Sequence, residues 1–262
     1  MNEAMEYAVL DWDNTIRKGF TLFSWMDFLY KEKFLDTKVR SNISSVQNQY
    51  SKKQINHDEY AKKACEIYSY AMKGVSEESR SRLVKRYIQY DKRSLMPFSQ
   101  ALFNYMNSYN IRPIIISGAP QYILEEYKDM FGLDNIFAFS EEYIGGLCTG
   151  GVAYNYGVGK RKTVEKLYDV FGVKPLIGFG DSYSDIPLFE MSEYAFCVVK
   201  TDDGNNKPYG KDITYISNET NGNQIRILLQ HILNLHNIKY KYTKAQAKTI
   251  NDLRLKNQNP VK

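Results

Sequence analysis

The chain has 262 residues, 43% of them hydrophobic and 25% charged, and its formal net charge is +5. These values are typical of an ordinary globular protein with room for one large domain, or for a core domain that carries a smaller inserted one. They exclude a protein that spans a membrane, because no apolar run approaches the roughly 20 residues that cross a bilayer.

The first part of the chain predicts one strand followed by a block of helices. Residues 7–13, YAVLDWD, form a short apolar run that ends in polar residues, as a buried strand does. Residues 21–94 have helical spacing, with Gly74 at the end of one helix and Ser76 as the N-cap of the next. We therefore expect this block to be all-helical.

The rest of the chain alternates strands with helices. Predicted helices follow Pro97 and cover 121–132, 160–171 and 222–236, and predicted strands cover 112–118, 175–181 and 194–199. The glycine-rich stretch 141–157 predicts a hairpin, and 201–212 a polar loop. Strands that alternate with helices favour a mostly parallel sheet with helices on both faces.

The expected fold class is therefore α/β, a Rossmann-like doubly wound sheet interrupted after its first strand by an inserted, all-helical cap domain. The predicted domains are a catalytic core of residues 1–16 and 95–236, a helical cap of residues 17–94, and a basic tail of residues 237–262. The cap is placed there because the helical block breaks the alternation directly after the first strand.

Acidic and hydroxyl side chains follow three predicted strands. Asp11 and Asp13 end the first, Ser117 ends the second, and Asp181 follows the third. In parallel sheets the functional residues gather at the carboxyl ends of the strands. Two carboxylates so close raise one another's pKa unless a cation neutralises them, and Mg²⁺ prefers oxygen ligands. Together with Asp185, these acids predict a magnesium site.

A magnesium site of this kind suits phosphate chemistry. One carboxylate can attack phosphorus and form an aspartyl-phosphate, while a second protonates the departing oxygen. The Ser117 hydroxyl and the Gly118 backbone can hold the phosphoryl group. A lysine can supply a fixed positive charge, and Lys160 is the candidate, with Lys162 as the alternative.

Four motifs in this order resemble those of the haloacid dehalogenase superfamily of phosphatases: DWDNT at 11–15, IIISG at 114–118, GK at 159–160 and GDSYSD at 180–185. The helical insert after the first motif looks like the C1 cap of the phosphoserine-phosphatase-like branch. The match covers about residues 7–200. Its strength lies in the combined order and spacing, since any one motif alone is weak.

The resemblance implies a role for each matching position. It makes Asp11 the nucleophile and Asp13 the general acid and base, and it makes Lys160 the partner of Asp11 and the phosphate. The implied metal ligands are Asp11, Asp13 through its backbone carbonyl, Asp181 and, through water, Asp185. The implied substrate and phosphate contacts are Asn14, Thr15, which would orient the first loop, Ser117, Gly118 and Phe20.

Two positions depart from the phosphoserine phosphatase pattern. Phe20 stands where those enzymes carry a glutamate for the substrate's ammonium group, and residues 54–79 contain no arginine for its carboxylate. We therefore expect a small phosphorylated metabolite other than phosphoserine. Phe20, Phe23 and the tyrosines of the cap favour an apolar or aromatic substrate, or a cation held over rings.

The tail and the cysteines carry weaker information. Residues 237–262 contain seven basic residues and one acid, Asp252, so the net charge of this tail is +6. The tail is either a solvated segment or a contact for an anionic partner such as nucleic acid. Cys65, Cys148 and Cys197 are too far apart for a disulfide framework or a zinc site. With no signal peptide expected, these features predict a cytoplasmic protein without a membrane partner.

Two alternative functions stay open from the sequence. One is a phosphatase for nucleotides or nucleic-acid ends, which the basic tail motivates. The other, of a different class, is a non-catalytic module that binds a phosphorylated ligand. The intact acids argue against such a module, because a binding protein needs neither a nucleophile nor a proton donor.

Overall fold

The described part of the chain, residues 6–200 and 212–237 of a computed structural model, is organised around a seven-stranded sheet. The strands are β1 Tyr7–Leu10, β2 Arg112–Pro120, β3 Asn135–Ile144, β4 Leu147–Asn155, β5 Ile177–Gly180, β6 Tyr194–Val199 and β7 Ile213–Ser217. The helices are α1 Thr21–Lys31, α2 Thr37–Ser51, α3 His57–Ala71, α4 Glu77–Asp91, α5 Ser99–Ser108, α6 Gln121–Glu125, α7 Lys128–Phe131, α8 Lys160–Phe171, α9 Ile186–Glu190 and α10 222–237.

The strand order is β4-β3-β2-β1-β5-β6-β7, and all neighbours are parallel except β3 and β4, which form an antiparallel hairpin. This arrangement confirms the predicted fold class. All four residues of β1 are buried at the centre of the sheet. Leu10 is in register with Ile115 of β2 and with Phe179 of β5. The carboxyl ends of these three strands are therefore adjacent.

Helices α1 to α4 form the predicted helical insert between β1 and β2. Its helices begin at the expected kind of residue: Asn56 and Glu59 form a reciprocal capping box at α3, and the Ser76 hydroxyl accepts a hydrogen bond from the Ser79 N–H at α4. The segments that enter and leave the insert run side by side, since the Lys18 N–H donates to the Ser94 carbonyl at 2.7 Å. We interpret the insert as a cap on the remaining core.

Two predicted elements differ from the structure. The helix expected over 121–132 is two short helices separated at Glu126 and Tyr127, and the Tyr127 hydroxyl donates to a carboxylate oxygen of Asp91 at 2.7 Å. Strand β7 was not predicted; it is a five-residue edge strand directly after the stretch predicted as a polar loop. The predicted tail lies outside the described residues from 238 onward, as does most of the predicted loop at 201–212.

Within the described residues, no helix combines the length and the apolar composition that crossing a bilayer takes.

Candidate active site

A cavity of about 100 Å³ opens where the carboxyl ends of β1, β2 and β5 meet the helical insert. Seven of the residues singled out in the sequence line it: Asp11, Asp13, Phe20, Ser117, Gly118, Lys160 and Asp181. The adjacent strand ends bring these residues together from positions far apart in the chain, as expected for a parallel sheet.

Asp11 lies directly after β1, where its backbone N–H donates to the Phe179 carbonyl of β5 at 3.0 Å. Its side chain is only 6% exposed. The Lys160 ammonium donates to one oxygen of this carboxylate at 2.7 Å, and the Thr15 hydroxyl donates to the other at 3.4 Å. Burial raises the pKa of the Asp11 carboxyl, and the Lys160 charge opposes that rise.

Lys160 is the first residue of α8 and follows Gly159, whose φ of 73° turns the chain into the helix. Its ammonium, itself 4% exposed, also donates to a carboxylate oxygen of Asp185 at 2.6 Å. Burial lowers the pKa of Lys160, but the two carboxylates outweigh it and raise that pKa overall, so the amine stays charged at neutral pH. Lys162 is exposed to solvent, and of these two lysines only Lys160 lines the cavity.

Asp13 lies two residues beyond Asp11 and faces the insert. One of its carboxylate oxygens accepts hydrogen bonds from both the backbone N–H, at 2.9 Å, and the hydroxyl of Thr21, the first residue of α1. Burial raises the pKa of Asp13 to about 7, although the hydrogen bonds from Thr21 act against the rise. The sequence analysis did not single out Thr21, although a threonine opening a helix eight residues after an acid was visible.

Asp181 and Asp185 lie on the turn after β5. One oxygen of Asp185 accepts hydrogen bonds from the backbone N–H groups of Asp181 and Ser182, both at 3.0 Å, which holds the turn closed. Gly180 is required there, because a Cβ at this position would lie 2.3 Å from the Asp185 Cβ. Asp185 is fully buried beneath the cavity.

Carboxylate oxygens of Asp11, Asp181 and Asp185 lie within 4.8 Å of one another. This donor set consists of oxygen atoms alone, which fits a hard divalent cation such as Mg²⁺ and does not suit a soft metal. These three residues could hold such an ion.

Ser117 and Gly118 lie near the end of β2, at the floor of the cavity. The Ser117 hydroxyl accepts a hydrogen bond from the Ala119 N–H at 3.3 Å. The backbone of Gly118 packs against Gly157, where a Cβ would lie only 2.4 Å from the Gly118 Cα. Gly157 and Asn155, which also line the cavity, were missed from the sequence, because a contact between distant loops leaves no local pattern.

Asn14 and Thr15 do not line the cavity but shape the loop beneath it. Asn14 adopts a left-handed conformation with φ 58°, and its side-chain oxygen accepts a hydrogen bond from the Gly19 N–H at 2.9 Å. Thr15 is fully buried against Asp11. The sequence-based expectation that Asn14 contacts substrate therefore has no counterpart in the cavity lining, whereas the predicted role of Thr15 in orienting the loop fits its contact with Asp11.

Phe20 lines the mouth of the cavity and is 53% exposed. In the described part of the chain, the insert contributes no Asp, Glu, Lys or Arg side chain to this lining. Arg80, which directly follows the arginine-free stretch 54–79, is directed elsewhere: its guanidinium lies 4.3 Å from the ring of Tyr122 and 4.5 Å from that of Tyr143. The two departures from the phosphoserine phosphatase pattern, Phe20 and the missing arginine, are therefore also found in the cavity lining.

A family model described as haloacid dehalogenase-like hydrolase matches residues 8–190. Among solved structures, a phosphoserine phosphatase with a phospho-aspartyl intermediate analogue has 16% identity and a TM-score of 0.58, over 87% of this chain and 99% of that one. A haloacid dehalogenase family hydrolase from Salmonella enterica has 14% identity and a TM-score of 0.61, over 85% of this chain and 70% of that one. A Bordetella pertussis protein of unknown function has 16% identity and a TM-score of 0.62, over 75% of this chain and 91% of that one. At these identities the likeness shows a shared fold. No curated protein matches the chain by sequence.

Proposed function

This chain belongs to the haloacid dehalogenase-like hydrolase family, and from that premise we propose that it is a Mg²⁺-dependent phosphatase of a small phosphomonoester. The observation that carries the proposal is the pairing of the Asp11 carboxylate with the Lys160 ammonium at 2.7 Å, with Asp13 beside it in the same cavity. A buried carboxylate with one charged neighbour and a free approach from the cavity is suited to act as a nucleophile.

The proposed reaction has two steps. An oxygen of Asp11 attacks phosphorus, the bond from phosphorus to the alcohol oxygen breaks, and Asp13 gives its proton to that oxygen. A water then attacks the aspartyl-phosphate, Asp13 takes a proton from it, and the bond from phosphorus to Asp11 breaks, releasing inorganic phosphate. The Lys160 charge and the N–H groups at Ser117 and Gly118 offset the negative charge on the phosphoryl oxygens.

Asp11, Asp181 and Asp185 would hold the Mg²⁺ ion. When bound, the ion supplies charge that lets an anionic phosphate approach a carboxylate. This role fits the local charge balance: three carboxylates converge on one side of the cavity, and Lys160 neutralises only part of their charge.

The proposed substrate is not phosphoserine. The ammonium and carboxylate groups of phosphoserine would meet Phe20 and a lining from the insert that contains no Asp, Glu, Lys or Arg among the described residues. Leaving such groups unpaired in a buried site costs several kcal/mol, which reduces catalytic efficiency by orders of magnitude. A phosphomonoester without these groups avoids that cost.

The test is a hydrolysis screen of phosphorylated metabolites with Mg²⁺, combined with acid quenching to isolate the phosphorylated protein. We expect release of inorganic phosphate from several small esters, a covalent phosphate on the peptide that contains Asp11, and phosphoserine low in the ranking. No hydrolysis of any ester, or phosphate on another residue, would contradict the proposal. Phosphoserine in first place would refute the exclusion of that substrate alone.

A nucleotide or nucleic-acid-end phosphatase is the second candidate, motivated by the basic residues 237–262. Removing residues 239–262 discriminates the two, since only the second function predicts a selective loss of activity on nucleotides or oligonucleotide ends.

A further inference from the structure

One face of helix α3 forms the insert's side of the cavity. The lining residues of this helix are His57, Tyr60, Ala61, Ala64 and Cys65, which follow the spacing i, i+3, i+4, i+7 and i+8 of a single helical face. Small side chains at 61 and 64 leave open space beside the Tyr60 ring. The helix thus presents one ring and a flat apolar surface to whatever extends from the phosphate.

Two rings from the start of α1 continue this surface, and we call Phe20, Phe23 and Tyr60 the aromatic wall. The centroids of Phe20 and Phe23 are 5.9 Å apart with an edge-to-face angle of 71°, and those of Phe23 and Tyr60 are 6.2 Å apart. Tyr50 stacks behind Tyr60 at 5.0 Å and 10°. These distances are typical of attractive ring pairs, so the wall is preformed rather than assembled on binding.

Apart from the His57 imidazole on α3, the acidic and basic side chains of the cavity lie on the side opposite this wall. Its charged lining residues are Asp11, Asp13, Lys160 and Asp181, all from the strand ends or from α8. The wall side has no Asp, Glu, Lys or Arg in the described part of the chain. A leaving group with an ammonium would therefore be buried there without an ionic partner, and one with a carboxylate or a second phosphate would meet only the His57 imidazole.

We propose that the aromatic wall selects a planar, uncharged aromatic group on the alcohol that leaves the phosphate. The inference rests on the proposed function, because it identifies the part of the ester beyond the reacting phosphorus. A flat ring fits between an edge-to-face pair and an alanine surface, and it gains contact with ring faces without losing hydration of a charge. A cation over the rings would lose that hydration with no carboxylate on the wall side.

The test compares three phosphate esters of primary alcohols, which keep the leaving-group chemistry similar: benzyl, cyclohexylmethyl and ethyl phosphate. We expect kcat/KM for benzyl phosphate to exceed that for ethyl phosphate by at least tenfold, and that for cyclohexylmethyl phosphate by roughly three- to tenfold. Equal kcat/KM values for the benzyl and cyclohexylmethyl esters would overturn the requirement for an aromatic ring. Phosphocholine in first place would show that the wall selects a cation and would overturn the proposal.

Two variants test whether the aromatic wall causes the preference for benzyl over ethyl phosphate. Phe20→Ala changes a half-exposed ring that the fold does not need, and Tyr60→Leu keeps apolar volume but removes the ring face. Both should reduce the ratio of kcat/KM for benzyl phosphate to that for ethyl phosphate several-fold. The control is Tyr70→Ala on the same helix, a ring 72% exposed outside the cavity lining, which should leave the ratio unchanged.

The outcomes separate this inference from the proposed function. Hydrolysis of ethyl phosphate without a benzyl preference refutes the inference alone, and so does a preference that neither wall variant changes. If no ester is hydrolysed, the proposed function fails, and the inference is then tested by calorimetric binding of benzylphosphonate against ethylphosphonate. Equal affinity for the two phosphonates would overturn it.

Discussion

Asp11 and Asp185 are two buried carboxylates that share one cation, the Lys160 ammonium, at 2.7 and 2.6 Å. Each of the three side chains is less than 10% exposed. Buried ions are tolerated only when they are paired, so the three groups depend on one another. The same arrangement leaves a net negative charge beside the cavity, which a divalent cation can offset.

Asp11→Asn should abolish turnover while leaving the fold intact. An amide is a poor nucleophile and a poor ligand for Mg²⁺, yet it has nearly the volume of the carboxylate. We expect kcat to fall by at least a thousandfold, with an unchanged circular dichroism spectrum. The control is Asp27→Asn on the exposed surface of α1, which should retain full activity. Normal turnover in folded Asp11→Asn protein would contradict the mechanism.

Lys160→Met should destabilise the protein by about 3 kcal/mol, because it leaves two buried carboxylates without their cation. Mg²⁺ should recover part of this loss, so the rise in Tm on adding Mg²⁺ should be larger in the variant than in the unmodified chain. Thermal unfolding with Mg²⁺ and with EDTA measures both effects. Lys162→Met, two positions along the same helix and exposed, should behave as the unmodified chain does. An equal rise in Tm on adding Mg²⁺ to Lys160→Met and to the unmodified chain would show that the acids do not bind the ion together.

At the scale of elements, the site depends on two loops that touch through glycine. Residues 117–118 at the end of β2 and residues 155–157 after β4 meet where Gly118 packs on Gly157. The Asn155 side chain fixes the second loop, because its oxygen accepts the Gly157 N–H at 3.1 Å and its NH₂ group lies 3.3 Å from the Cys65 sulfur of α3. One asparagine thus joins the hairpin, the Ser117 and Gly118 segment and the insert.

Gly157→Ala should displace Ser117 and Gly118 near the end of β2 and lower kcat/KM at least tenfold. Its Cβ would lie 2.4 Å from both the N and the Cα of Gly118, which are backbone atoms that cannot rotate away. We expect a loss of stability of about 1–3 kcal/mol as well. Gly151→Ala in the same hairpin is the control, since its Cβ would meet the end of the flexible Glu142 side chain at 3.2 Å. Equal activity in the two variants would show that the loop contact does not position Ser117.

A second contact between elements places a carboxyl group, Glu141 of β3, between the insert and the core. It is 2% exposed, and neither oxygen has a hydrogen-bond partner among the described residues; the Arg80 guanidinium lies 3.9 Å away. Burial raises the pKa of this carboxyl. The titratable and charged groups around it come from five elements: Cys65 and Tyr68 of α3, Arg80 of α4, Tyr122 of α6, Tyr143 of β3 and Cys148 of β4.

Glu141→Gln should stabilise the protein more at pH 8 than at pH 5. Because the carboxyl pKa is higher in the folded than in the unfolded state, the folded state binds the proton more tightly, and stability falls as pH rises from the unfolded value through the folded one. The amide removes that dependence, and we expect a gain of about 1–2 kcal/mol at pH 8. Urea unfolding at both pH values measures it, with the exposed neighbour Glu142→Gln as the control. A variant that is less stable at pH 8 would show that the Arg80 pair outweighs burial.

At the scale of the whole molecule, the sequence predicted what local patterns encode. Apolar runs that end in polar residues indicated β1, β2 and β5, and the order of these strands brought Asp11, Ser117 and Asp181 together. Contacts between distant segments were not predictable: the hydroxyl of Tyr127 donates to Asp91, and Gly157 meets Gly118 across some forty residues. Such contacts depend on tertiary packing, which overrides local propensity.

The insert and the core share one continuous apolar cluster. It includes Trp25 and Leu29 of α1 as well as Trp12, Phe103 and Phe179 of the core. A buried hydrogen bond crosses the same boundary, since the Tyr127 hydroxyl of the core donates at 2.7 Å to Asp91 at the end of α4, which is also paired with Arg17. The insert is therefore joined to the core by its packing as well as by its two linkers.

We expect the insert and the core to unfold in a single transition, because neither can expose its side of the shared cluster without exposing the other's. The chain has two tryptophans, one on each side: Trp12 packs on Tyr127 at 5.0 Å, and Trp25 stacks on Phe28 at 5.6 Å. Trp12→Phe and Trp25→Phe each leave a single reporter, and both are fully buried in the folded chain. For each variant, tryptophan fluorescence and circular dichroism are followed in the same sample during urea unfolding. We expect the fluorescence midpoint to coincide with the circular dichroism midpoint in both variants. A Trp25 signal lost at lower urea than the circular dichroism of that variant would show that the insert melts alone, as an independently opening lid would.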